Sequence, residues 1–334
     1  MTDYIKRNIK MELRNNGLDL LKFICCFCVI VFHCEIPLNG PLTILFRCAV
    51  PCFFIITGYY ILNNFDRHRI TYLVKKLTRL LSLSTIIFLF YRLLVSTIGV
   101  GEFLKIKHPV FDFLLFNENP FGYHLWYISA CIYGLVILYV LSKKINIYSL
   151  QFTIFTLVVT LVGTTIGLME HVANDSLWNF RICMVRNFLF TAIPYLVLGG
   201  FIRKHNITKI KQNRIFCLLL GVYLFSIVEY NYIAGIGYKY VCDSFFLTWV
   251  LSAIVFLWFS SLRIGGSVFS KIGKDCSLFI YIFHPIIKMI VTYGSRSIGS
   301  NIDKSWLFPI AVMFFSVFTY YILCFVKKRI LTIL

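Results

Sequence analysis

The chain alternates long apolar runs with short polar or basic connections. The apolar stretches fall near residues 18–34, 45–62, 79–99, 122–142, 149–168, 187–202, 214–232, 242–260, 275–294 and 306–326. Most approach the ~20 residues that an α-helix needs to cross about 30 Å of hydrocarbon. The pattern predicts an all-α, polytopic membrane protein with about ten transmembrane helices in a single integral membrane domain over 1–334, with no additional soluble domain. The run from Arg14 to His33, RNNGLDLLKFICCFCVIVFH, organises the rest: a basic, polar lead-in, then apolar residues interrupted by Asp19, Lys22 and His33.

Composition agrees with the pattern. Of 334 residues, 59% are hydrophobic and 14% charged, and the mean hydropathy is +0.80, which excludes a soluble domain. The opening fifteen residues are basic but lead into a span containing Asp19 and Lys22 with no small-residue cleavage pattern, so no removable signal peptide is expected. The formal charge of +19 is mainly a topology signal. With the N-terminus in the cytoplasm, alternate connections collect Arg67, Arg69, Lys75 and Lys76, then Lys143 and Lys144, then Arg203, Lys204, Lys209 and Lys211, then Arg263, Lys271 and Lys274, then Lys327, Lys328 and Arg329. This bias places both termini in the cytoplasm of a bacterial cytoplasmic membrane, adds attraction to anionic membrane lipid, and argues against a nucleic-acid partner. The twelve cysteines show neither metal-binding spacing nor a disulfide framework, so no metal is expected, and Cys34, Cys48, Cys52, Cys183 and Cys242 near the outer side are left without an assigned pairing.

Lys22 and His33 are eleven residues apart, which puts them within about 20° of one helix face and roughly 16 Å apart along the axis. Asp19, three residues before Lys22, can pair with it. Lys22 also fits a snorkelling role and His33 an interfacial one. An ionisable residue on an interior face is nevertheless a functional candidate, and histidine exchanges a proton near neutral pH.

Further candidates lie along the chain. Thr57 and Gly58 form a small polar notch in RCAVPCFFIITGYYILN, beside Tyr59, where a neighbouring helix or a ligand can approach. The basic stretch at 67–79, with Arg69, Lys75, Lys76 and Arg79, suits either phosphate binding or an ordinary positive-inside connection. NENPFGYHLWYISA holds His124 and Trp126 on the same side as His33. Arg186 precedes NFLFTAIPYLVLGGFI, in which Pro194 can bend a span, and Glu229 ends the seventh run, where a sugar hydroxyl or a basic side chain fits equally as its partner. In FSKIGKDCSLFIYIFHP, Ser277, Tyr281 and His284 share a face, and Pro285 is expected to introduce a local break.

Together these segments resemble the acyltransferase-3 family of ten-span membrane O-acyltransferases, whose members O-acetylate surface glycans. The resemblance rests on the entry span from Arg14 to His33, VPCFFIITGYYI at 50–61, the basic 67–79 stretch, HLWYI at 124–128, RNFLFTAIPYLVLGGFI at 186–202 and IGKDCSLFIYIFHP at 272–285. The family carries an arginine eleven residues before its essential histidine; here Lys22 stands at that place, which keeps the charge and loses the planar two-pronged donor. The resemblance implies transfer of an acyl group, most simply acetyl from acetyl-CoA, to a hydroxyl of a glycan or lipid-linked glycan. It implies His33 as proton-transfer residue with Lys22 and Asp19 supporting it. Arg69, Lys75, Lys76, Arg79 and Lys274 are then candidate contacts for the CoA phosphates. Arg14, Thr57, Tyr59, His124, Trp126, Arg186, Glu229, Ser277, Tyr281 and His284 are candidates for the substrate channel. A second copy of the chain or a cell-envelope biosynthetic protein are the further partners considered. The competing expectation is a transporter or binding module for a small amino acid or other polar solute, since similar membrane domains occur fused to amino-acid racemases.

Overall fold

The computed structural model describes residues 15–97, 109–172, 182–235, 245–297, 299 and 302–333. Among them the regular structure is helical: α1 (Asn16–His33), α2 (Gly40–Arg47), α3 (Ala49–Ile61), α4 (Arg67–Thr97), α5 (Pro109–Phe116), α6 (Trp126–Ser142), α7 (Leu150–Val172), α8 (Ile193–Lys204), α9 (Gln212–Gly235), α10 (Thr248–Ser261), α11 (Val268–Ser297) and α12 (Leu307–Ile333). A π-helical turn, Phe188–Ala192, runs directly into α8.

Eight segments among the described residues are long and apolar enough to cross a membrane, with α2 and α3 together forming one of them. The two other expected spans are shorter: the π-turn joined to α8, and α10 with 14 residues. Two further expectations are corrected. The third and ninth expected spans, α4 and α11, begin earlier than their apolar runs, at Arg67 and Val268, so the basic 67–79 stretch is helix rather than connection. Its charges are tolerated because Lys75, Lys76 and Arg79 are exposed on the helix surface. And α11 does not break at Pro285 but continues through it to Ser297.

The polar lead-in has a structural task. Asn15 caps α1 by accepting from the Leu18 amide at 3.1 Å, and donates to the Ser260 carbonyl at 2.7 Å. Asn16 donates to the Ile264 carbonyl at 3.1 Å, and its own carbonyl accepts from the Ser270 hydroxyl at 3.1 Å. The start of α1 is thereby seated on the end of α10 and the start of α11.

α1 packs most extensively against α11, and α3 against α8. α1 and α11 run parallel. Gly273 lies against the Asp19–Phe23 backbone, Cys26 donates to the Ser277 carbonyl at 3.5 Å, and Lys288 reaches the His33 carbonyl. The α3–α8 crossing is also close: Gly58 meets the backbone of Leu196, and Gly199 meets the Ile55 carbonyl and the Tyr59 amide. The Thr57-Gly58 notch therefore receives a helix at Gly58. Large apolar side chains on α4, α9 and α12, among them Phe90, Phe225, Val228 and Phe314, stay exposed as the lipid-facing surface.

Helices in lipid gain little from hydrophobicity alone and depend on close backbone approach. Gly199→Ala should therefore destabilise the bundle by about 1–3 kcal/mol, as overpacking does. Gly221→Ala on α9, where a Cβ meets nothing, should leave stability within about 0.5 kcal/mol of the parent. Thermal unfolding of both variants in detergent measures the difference.

Candidate active site

Three imidazoles meet at one end of the bundle. His33 is the last residue of α1, His124 sits in the 3₁₀ turn Tyr123–Leu125 before α6, and His284 lies within α11. Ring centroids are 4.7 Å apart for His33 and His284, 5.6 Å for His124 and His284, and 6.5 Å for His33 and His124. Their accessibility is graded: His284 is 0% exposed, His124 is 9%, and His33 is exposed.

One ring is fixed where Pro285 leaves a carbonyl free, and a second on the same stretch of α11. Proline lacks an amide hydrogen, so the Tyr281 carbonyl four residues back has no helical donor. His284 Nδ1 lies 2.9 Å from that carbonyl and 3.1 Å from the Ile280 carbonyl. Carbonyl oxygens only accept, so Nδ1 carries the hydrogen and Nε2 presents a lone pair. The next carbonyl, Ile282, is 2.9 Å from His124 Nε2, which must likewise be the donor. The helical bond lost at Pro285 is thus replaced by the side chain of the residue before it, and His124 joins the turn before α6 to the same stretch of α11.

His33 is anchored through its backbone. Its carbonyl accepts from Lys288 Nζ, and Lys288 also lies 3.6 Å from Glu35. The chain leaves α1 through Glu35 in the left-handed region, φ 57°. The charges acting on the His33 ring are those of Arg186, Lys288 and Glu35.

An aromatic wall continues from the cluster into the bundle. His124 packs on Phe88 at 4.6 Å and on Tyr281 at 6.1 Å; Tyr281 packs on Tyr127 at 5.3 Å; and the Tyr127 hydroxyl lies 3.2 Å from Thr57 Oγ1. Arg186 stacks over Trp126 at 5.9 Å. His124, Trp126, Arg186, Tyr281, His284 and Thr57 are thus brought to one region with His33. Ser277 lies two turns before His284 on α11, its carbonyl taken by Cys26.

Asp19 and Lys22 lie at the opposite end of α1. They form a 3.0 Å ion pair, with Asp19 only 5% exposed. Lys22 also lies 5.8 Å from the Tyr60 ring. Arg69 donates to the Tyr60 carbonyl at 2.8 Å, and Arg203 donates to the Tyr59 hydroxyl at 2.9 Å. One carboxylate and three cations therefore gather on the Tyr59-Tyr60 pair. Lys75, Lys76, Arg79 and Lys274 are exposed on the helices that start at this end. Glu229 is distant from both clusters in role: its two carboxylate oxygens accept from the Phe246 and Leu247 amides before α10. Arg14 lies outside the described residues.

Several residues were not singled out from the sequence. Lys288 was detectable as an ionisable residue one turn after His284 inside an apolar run. Arg203 was read only as a topology charge. Asn117, Asn119 and Asn187 resembled ordinary loop residues, yet they build the frame behind Trp126. Asn117 donates to the Trp126 carbonyl at 3.3 Å and accepts from the Phe188 amide at 2.8 Å. Asn119 accepts from the Phe121 and Gly122 amides, and Asn187 caps the π-turn by accepting from Leu189 and Phe190. Each cysteine among the described residues is free, and no group of three or more His, Cys, Asp or Glu among them is arranged to hold a metal ion.

The fold is that of a polytopic integral membrane protein with an imidazole cluster inside one end of the bundle. The chain belongs to the acyltransferase-3 family, whose model, described as an acyltransferase domain, matches residues 15–327. Among similar proteins, a serine/alanine racemase of Enterococcus gallinarum is 28% identical over 299 residues, which cover 82% of this chain and 41% of the racemase. An amino-acid racemase of Enterococcus faecalis is 26% identical over 309 residues, covering 86% of this chain and 43% of that protein. The chain spans less than half the length of these relatives. No solved structure matches it.

Asn117 is fully buried and has positive φ, 52°. Asn117→Ala leaves the Phe188 amide without its acceptor and places alanine in a left-handed conformation. A loss of about 2–3 kcal/mol is expected, read as a lower midpoint of thermal unfolding in detergent.

Proposed function

We propose that this chain transfers an acyl group, most simply acetyl, from acyl-CoA to a hydroxyl of a cell-surface or lipid-linked glycan, with His33 as the base. The observation that carries this reading is the division of α1: an accessible imidazole at a buried cluster closes one end, and a cationic cluster on two tyrosines holds the other. Family membership supplies the reaction class.

The residues at the Lys22 end fit a phosphate-bearing donor. Lys75, Lys76, Arg79 and Lys274 are exposed there, and the lysine and arginine bias assigns that end to the cytoplasm. Charged phosphates stay at this face because their transfer into hydrocarbon is prohibitive. The acyl-bearing arm spans the roughly 16 Å from Lys22 to His33 inside the bundle. His33 takes the proton of the acceptor hydroxyl as its oxygen adds to the thioester carbonyl; the carbon–sulfur bond then breaks and the proton passes to the departing thiolate. A route in which His33 first carries the acyl group uses the same imidazole. The wall formed by His124, Trp126, Tyr281 and Arg186 would receive the acceptor. The racemase relatives favour a second reading, a binding or transport module for a small amino acid.

Sealed vesicles of defined orientation, with labelled acetyl-CoA on one side and glycan acceptors on the other, separate the two. Transfer is expected only with acetyl-CoA on the Lys75–Lys76 side, and His33→Ala should lower it at least 100-fold while remaining folded. Amino-acid uptake without acyl transfer would replace the enzyme reading by the transport one. Lys22→Arg should retain more activity than Lys22→Ala, because Asp19 is buried and its charge needs a cation. Equal activity in both variants and the parent would reduce Lys22 to an anchor.

A further inference from the structure

We infer that His284 is the positioning residue for His33: its Nε2 lone pair accepts a hydrogen bond from the His33 ring and so fixes which His33 nitrogen faces the substrate. The inference rests on His33 acting as the base. The first support is the tautomer of His284. Its Nδ1 hydrogen is committed to the Tyr281 and Ile280 carbonyls, so Nε2 is an acceptor. That Nε2 is buried and has no hydrogen-bond partner among the described residues. Leaving a buried acceptor unsatisfied is costly, so a donor is called for.

The second support is distance. An imidazole nitrogen lies about 1.1 Å from its ring centre and a nitrogen hydrogen bond spans about 2.9 Å, so two bonded rings have centres about 5 Å apart. His33 stands at 4.7 Å from His284, and His124 at 6.5 Å from His33 is too far. The His33 and His284 planes are tilted by 57°. The bond requires the exposed His33 ring to turn about its own side-chain torsions, while Lys288 keeps the His33 carbonyl in place. Both anchors of His33 then come from consecutive turns of α11.

The chemical consequence is directional. One His33 nitrogen donates to His284, and the other presents its lone pair to the acceptor hydroxyl. When His33 takes the proton, the imidazolium keeps its bond to His284, and no proton has to move further. His284 itself touches no reacting atom.

Two substitutions separate positioning from helix capping, since His284 performs both. In His284→Asn the amide nitrogen stands near the former Nδ1, so the Tyr281 carbonyl keeps a donor while the acceptor toward His33 is lost. In His284→Gln the longer side chain brings its carbonyl oxygen near the former Nε2, so the acceptor is kept and the cap is lost. The expected result is that His284→Asn unfolds near the parent temperature, keeps KM within about threefold and loses about 100-fold in kcat, whereas His284→Gln is less stable yet at least tenfold more active than His284→Asn. A merely structural role predicts the opposite order, and parental kcat in His284→Asn, or that opposite order, overturns the inference. Carbethoxylation of His33 by diethyl pyrocarbonate, followed by mass spectrometry, gives a readout independent of acyl transfer. It should be at least twofold slower in His284→Asn and unchanged in His284→Gln, because the reagent attacks the ring nitrogen without hydrogen. Equal rates in all three proteins overturn the positioning role. If the parent carries out no acyl transfer while the labelling pattern holds, the enzymatic reading fails and the His33–His284 bond stands.

Discussion

The structure turns on a missing amide hydrogen. Pro285 removes one donor from the hydrogen-bond ladder of a helix long and apolar enough to cross a membrane, where an unsatisfied carbonyl costs several kcal/mol. The nearest donor is an imidazole: His284 serves the freed Tyr281 carbonyl and also that of Ile280, and His124 adds a bond to the Ile282 carbonyl, whose helical donor the proline leaves in place. Satisfying the backbone thus fixes His284 at the end of α1, and His124 is tied to the same stretch of α11 from the turn before α6. The cluster around His33 is assembled by a structural need before any chemistry is asked of it.

The same economy governs the charges. Asp19 is buried, and its cost in the bundle is met by Lys22 at 3.0 Å. Arg69 and Arg203 are each tied to the Tyr59-Tyr60 pair, one through a backbone carbonyl and one through a phenol. Lys288 satisfies the last turn of α1 and sits beside Glu35. Ionisable groups gather at the two ends of α1, and the length between them is lined by cysteines and aliphatic side chains such as Cys25, Cys26, Val29 and Ile30. Polar work at either end is therefore insulated from the other by a dry stretch of helix.

Hydropathy made the helices legible, because apolar runs of membrane length carry a signal that needs no tertiary context. The candidate site was partly legible for a related reason: histidines are rare in such runs, so His33 and His284 stood out, and HLWYI added His124. What remained hidden depends on partners far away in the chain. Basic residues at 67–79 looked like a connection because charge suppresses the apolar signal, although the backbone there is helical. Pro285 looked like a break because the repair by His284 is invisible without three dimensions. Asn117 and Asn187 carry no periodic signal of their own, whereas their amides join the Trp126 region to the π-turn before α8.

Glu229 bears on how the shortest span is carried. α10 has 14 residues, so it is about 21 Å long, roughly 9 Å less than the hydrocarbon thickness. The Glu229 carboxylate accepts from the Phe246 and Leu247 amides just ahead of it, so the backbone leading into α10 is satisfied from α9. No residue of α10 is exposed, whereas Phe225 and Val228 on the longer α9 are. A helix too short to stand alone in lipid is thus housed as cargo of the bundle, with its longer neighbour presenting the outer face.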